Sequence, residues 1–118
     1  VSAEQTLGLG VIHRGDVLRA PGGLSASLGD YAVGSPNGAR LGDVASGAAV
    51  AAELARTDTG ELRPARLIAA GGERAAAGDA RARAVFAAAG RALGLALANL
   101  IALFAPPRII LVGALVEA

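Results

Sequence analysis

A single histidine, His13, stands among ten carboxylates and eleven basic residues, all of them arginine. For His13 to react it would need a nucleophile and an orienting acid, and for it to hold a metal it would need further nitrogen or sulfur ligands. Neither set is evident, so it reads as a solvated residue at the end of a strand. The tripeptide that follows, Arg14-Gly15-Asp16, spells an adhesion motif but is explained more simply as a tight turn. Gly8 and Gly10 could let backbone amides approach phosphate oxygens, although a lone Gly-x-Gly serves a hairpin equally well. Gly113 closes an apolar run and could face an adenosine, and a strand-ending glycine also stands without a ligand. Gly90 and Gly94, four residues apart, form a small-residue groove suited to helix packing within the chain, or alternatively to a dimer seam. The chain has no cysteine, which removes disulfides, thiolate catalysis and cysteine-based zinc sites. No residue set qualifies as catalytic or metal-binding, and no cofactor is expected.

The elements that must position these residues are bounded by composition. A length of 118 residues fits one domain. Hydrophobic residues make up 53% but aromatics only 3%, so the core must be built from Ala, Leu, Val and Ile. A net charge of +1, with arginines scattered among acids, offers no field to hold a polyanion, and nucleic-acid binding is disfavoured. No charged leader precedes a short apolar run, which together with the lack of cysteine points to a cytoplasmic protein. Residues 84–105 approach bilayer-spanning length, but Arg91 and Asn99 interrupt them and much of the hydropathy is alanine. A buried helix, and no membrane contact, is the expectation.

Thr6 to Ile12 alternates Gly with Leu and Val, and after Arg14-Gly15 a second β-prone run covers Asp16 to Arg19, which predicts a hairpin. From Pro21 to Asp43 the sequence is glycine-rich and poor in large apolar residues, a loop composition. Asp43 is placed to cap a helix from Val44 to Arg56, and Pro64 to begin a short helix that Gly71-Gly72 ends after Ala70. Gly78-Asp79 is the clearest cap, opening a long helix over Ala80–Phe104 with an apolar stripe at Val85, Ala89, Leu93, Leu97, Leu100 and Phe104. Pro106-Pro107 stops it. Ile109-Ile110-Leu111-Val112 then runs into Gly113 as a strand buried on both faces. The chain ends five residues later, before a covering helix, which reads as a fragment of a larger fold.

Taken in order, Gly8-Leu9-Gly10-Val11-Ile12, the Gly78-Asp79 cap, Leu93-Gly94-Leu95-Ala96-Leu97-Ala98-Asn99-Leu100 and Pro107-Arg108-Ile109-Ile110-Leu111-Val112-Gly113 resemble the second domain of the ROK family, which groups repressors, open reading frames and sugar kinases. The resemblance covers Leu7 to Gly113 and implies an α/β, actin-like, ribonuclease-H-type sugar-kinase domain, truncated, over residues 1–118. An N-terminal half carrying a catalytic Asp is implied to be outside it.

In the family a glycine–threonine–glycine turn approaches the ATP phosphates, and here Glu4-Gln5-Thr6 stands in its place, where the Glu would repel them. The family's sugar-contacting run of Glu, a hydrophobic residue, Gly and a zinc-binding His corresponds to Ser27-Leu28-Gly29-Asp30. Ser27 cannot replace a carboxylate that holds sugar hydroxyls, and Asp30 alone is a poor zinc anchor. The cysteine loop that completes the zinc site is replaced by Pro36-Asn37-Gly38-Ala39-Arg40-Leu41-Gly42, within the 21–43 loop region, so no stoichiometric zinc is expected. What the resemblance implies is therefore a non-catalytic domain of a sugar-linked transcriptional regulator or inactive sugar-kinase relative, acting in ligand sensing or dimerisation. Ser27 is its degenerate sugar position, and Gly8, Gly10 and Gly113 are weak nucleotide positions. The alternative is an ATP-dependent hexose kinase whose catalytic half lies outside the chain. The expected partners are a second copy and, through the parent protein, a sugar or ATP.

Overall fold

A computed structural model of the chain describes residues 2–3, 6–19, 26–34, 37–56 and 63–118. The elements run β1 (Ser2–Ala3), β2 (Leu7–Leu9), β3 (Val11–His13), β4 (Asp16–Leu18), β5 (Ala26–Ser27), a 3-10 turn (Leu28–Asp30), α1 (Leu41–Ala45), α2 (Gly47–Ala55), α3 (Pro64–Ala76), α4 (Ala80–Phe104) and α5 (Ala114–Glu117). The expected first strand is two strands, broken at Gly10. β2 is the middle strand of an antiparallel sheet in the order β1-β2-β5, whereas β3 and β4 form a separate hairpin. That hairpin turns at Arg14 and Gly15 with φ of 51° and 89°, between the paired residues His13 and Asp16. Positive φ at both positions is the turn that matches strand twist. The 21–43 region is not wholly irregular: it holds β5, the 3-10 turn and the start of α1.

Asp43 does not open the helical layer. It is the third residue of α1, and its Oδ2 accepts from the Arg40 backbone N–H at 2.8 Å, so it caps backwards from inside the helix. The cap of α2 is Ser46, whose Oγ accepts from Ala49 N–H at 3.1 Å. α3 also departs from expectation, running through Gly71-Gly72 to Ala76. Packing explains it, because both glycines are buried and sit where other groups come too close for a side chain. The cost of a glycine in a helix, about 0.5–1 kcal/mol relative to alanine, is offset by that approach.

α4 matches its predicted bounds, with Asp79 Oδ1 accepting from Arg81 N–H at 2.9 Å and from Ala82 N–H at 3.0 Å. Its buried positions, however, are Ala82, Ala89 and Ala96, seven residues apart. Val85, Leu93 and Leu100 flank them half-buried, and Phe104, counted in the predicted stripe, is 72% exposed. A line of alanines lets α1, α2 and α3 pack closely on α4. The helix ends at Ala105 in a left-handed conformation, φ 42°, ahead of Pro106-Pro107. By length and composition α4 could cross a membrane; the expected buried helix is a correction, since only 11% of its apolar window is buried and it meets the core chiefly along its alanine line.

The predicted buried strand at Ile109–Val112 is a correction. Only Val112 makes a β-bridge, and Ile110 and Val112 are 62% and 52% exposed. The segment is held at separate points, the Val112 bridge and a partner of Ile110, and forms no continuous ladder of its own among the described residues. The core is instead the meeting of Leu7, Leu28, Leu41, Val50, Leu54, Leu67 and Ile68 with the α4 alanines.

Candidate functional site

The β2–β5 pairing sets Gly8 directly opposite Ser27, and the β1–β2 pairing sets the same glycine opposite Ser2. Ser27 is exposed where β5 passes into the 3-10 turn, and its hydroxyl makes no capping hydrogen bond. Gly10, just beyond β2, is exposed with open space where a side chain would stand. Gly113 precedes α5 with φ 115°, and α5 packs on α3 and β1. The fold therefore joins Gly8 and Ser27 directly, leaves Gly10 at the end of the same strand, and keeps Gly113 on the β1 side of the sheet. Of the phosphate-turn residues, Glu4 and Gln5 lie outside the described residues, as does Pro36 of the loop in place of the cysteine motif.

Behind Ser27 the backbone is packed tightly against α1. A methyl on Gly42 would come within 3.1 Å of Gly29 O and 3.3 Å of Gly29 Cα, so the first turn of the helix lies on the 3-10 turn backbone to backbone. Leu28 and Leu41, both buried, fasten the two pieces to the core. On the outer side the Arg40 guanidinium donates to Asp30 Oδ1 at 3.0 Å, with side chains 60% and 68% exposed. Leu41 N–H donates to Tyr31 O at 2.8 Å, and Ala32 bridges Arg40. Tyr31 in turn accepts a hydrogen bond at its hydroxyl from Asn99 Nδ2 of α4.

Sequence reasoning missed Tyr31 and Asn99 as parts of this region, and missed the pairing of Arg40 with Asp30. The available signals were that Tyr31 is the one tyrosine and that Asn99 is a polar residue inside an apolar helix. Among the described residues no three of His, Asp and Glu gather as metal ligands would.

Two open grooves of about 460 and 440 Å³ lie along α4, one beside α3 and α5 and lined by Phe86, Leu93 and Leu115, the other beside α2 and lined by Glu53, Arg81 and Val85. Gly8, Gly10, Ser27 and Gly113 line neither of them. The exposed Ser27 hydroxyl and, three residues on, the Asp30 carboxylate with its Arg40 partner are groups that can donate and accept hydrogen bonds to a polyol.

The ROK family sequence model matches residues 3–118. No curated protein matches the chain. Among solved structures, the chain is similar to the ROK hexokinase from Thermus thermophilus, with a TM-score of 0.77 and 26% identity over 98% of this chain and 40% of that one. It is also similar in fold to a ROK family protein from Streptococcus pneumoniae TIGR4, solved in complex with sucrose, with a TM-score of 0.78 and 22% identity over 95% of this chain and 38% of that one. The chain thus spans about two fifths of the length of those structures. With the sequence match running almost end to end and the actin-like sugar-kinase fold shared, the chain belongs to the ROK family.

Proposed function

We propose that this chain is a non-catalytic ROK domain, part of a sugar-linked transcriptional regulator or an inactive sugar-kinase relative, and that it serves in sugar sensing or subunit association. The observation that carries the reading is the pair of side chains at the sugar position, an exposed Ser27 and an Asp30 that meets the Arg40 guanidinium at 3.0 Å. Where the family resemblance expects a Glu and a zinc-binding His, this chain has Ser27 and a carboxylate already engaged by an arginine. Phosphoryl transfer needs a positioned base and a phosphate clamp together, and Ser27 with Asp30 offers neither. A sugar could still bind through exposed hydroxyl and ionic partners. Gly8, Gly10 and Gly113 are the places where a nucleotide held by the parent protein would approach this backbone. The domain is proposed to act in the cytoplasm, without nucleic-acid or membrane contact of its own.

Subunit association is supported by the apolar side chains exposed from the end of α4 onward, among them Leu103, Phe104 and Ile110. A second reading, an ATP-dependent hexose kinase whose catalytic residues lie outside residues 1–118, draws on the similarity to the Thermus hexokinase. A coupled ADP-release assay on the full-length protein with ATP and glucose separates the two. The first reading expects no glucose-dependent ADP; sustained turnover that tracks the protein through repurification supports the second.

A further inference from the structure

Asn99 is an unfavourable residue for the middle of a helix, since its side chain competes for backbone hydrogen bonds, and it interrupts an otherwise apolar run of α4. Its side chain is half-buried and reaches Tyr31, 68 positions earlier, where Nδ2 donates to the phenol oxygen. Tyr31 is a junction. Its N–H donates to Leu28 O at 3.1 Å and closes the 3-10 turn, and its carbonyl accepts from Leu41 N–H at 2.8 Å, where α1 begins. The neighbours on either side continue the join, Ala32 bridging Arg40 and Asp30 pairing with the Arg40 guanidinium. Among the described residues, Ser27 is tied outwards to Gly8 across the sheet, while the hydrogen bonds around Tyr31 and Arg40 run within residues 28–34 and 37–41, and the ion pair there is too exposed to hold that part firmly. Leu28 and Leu41 anchor the segment to the core but, being apolar contacts, do not fix its orientation. The bond from Asn99 to Tyr31 is a directional tie between this part and the long helix.

We infer that Asn99, acting through Tyr31, is a positioning residue that sets how the turn after Ser27, whose own place is fixed by the pairing with Gly8, presents Asp30 to a bound sugar; this rests on the sugar-binding reading given above. Because the tether is a hydrogen bond, only partners that restore it should restore the position.

The test compares Y31F, N99L and N99D in the full chain by amide hydrogen exchange, followed at Leu41 N–H, with glucose titrations read at the Ser27 and Gly29 amides. Y31F and N99L should speed exchange at Leu41 by about tenfold, the size expected for one lost hydrogen bond, while amides in α2 keep their protection. N99D, whose carboxylate accepts from the Tyr31 hydroxyl, should return it to within about twofold of wild type. The glucose response should weaken in the first two variants and recover in the third. Unchanged Leu41 exchange in Y31F and N99L, or a uniform loss across α2 and α4, overturns the inference. So does wild-type glucose affinity in variants whose Leu41 amide is loosened. Should wild type give no response to glucose, the sugar reading fails, and the exchange pattern still decides whether Asn99 positions the turn.

Discussion

Leu54 of α2 and Gly71 of α3 meet so closely that a methyl group on Gly71 would sit 2.5 Å from Leu54 Cδ1 and 3.0 Å from its Cδ2. Leu54 is 2% exposed and has little room to move away. Gly71→Ala is therefore expected to destabilise the protein by about 1–3 kcal/mol through overpacking, in spite of alanine's better helix propensity. Urea unfolding measures it, and Leu54→Val in the same chain should recover part of the loss. An unchanged midpoint for Gly71→Ala would show that α2 and α3 do not pack this way.

Gly90 and Gly94 make the opposite case. Both are exposed on α4 with nothing within 4 Å of the position a methyl would take. Alanine at either should stabilise the protein by about 0.5–1 kcal/mol, the ordinary gain in a helix interior. A loss at either position, seen in the same unfolding series, would mean that something packs on that face in solution.

The cap of α4 gives a prediction in pH. The Ala82 N–H, with further help from Arg81 N–H and the Arg74 guanidinium, holds the Asp79 carboxyl below its ordinary value of 3.8. A carboxyl with a lowered native pKa adds stability that is complete above its unfolded value and lost as pH falls through the native one. Asp79→Ala should thus be less stable than wild type at pH 7, and the difference in thermal midpoint should shrink steadily below pH 4. A difference that is constant down to pH 2 would contradict this assignment.

These features differ in how far the sequence reveals them. The Asp79 cap, the bounds of α4 and the Arg14-Gly15 turn are local matters, decided by a side chain next to the backbone it serves. Helix propensity likewise argues that Gly71-Gly72 ends α3, but Leu54 approaches from another helix, and Gly72 faces Ala118 O at what would be 2.7 Å from a methyl. No local pattern contains either contact. Ile109–Val112 has the composition of a buried strand, yet in the structure it is bridged only at Val112, and Ile110 and Val112 are more than half exposed. At the candidate site, Ser27 and Asp30 are legible from the resemblance. The Arg40 pair and the Asn99–Tyr31 tether depend on chain crossings that a linear reading does not contain.

Exposed apolar side chains bear on the proposed self-association. Leu103 and Phe104 are 76% and 72% exposed, and Ile110 follows them at 62%. Burying one such side chain is worth about 1.5–3 kcal/mol, enough for a few to hold a dimer. Light scattering across a dilution series should find a dimer or larger species, with Phe104→Asp and Leu111→Asp shifted towards monomer. A folded wild-type monomer at micromolar concentration would rule the association out.

ADP release by the full-length protein with ATP and glucose decides whether this domain serves catalysis. A non-catalytic domain gives a rate indistinguishable from that without sugar, and unchanged by Ser27→Ala. Glucose-dependent ADP release that co-purifies with the protein and falls when Ser27 is replaced would contradict that reading.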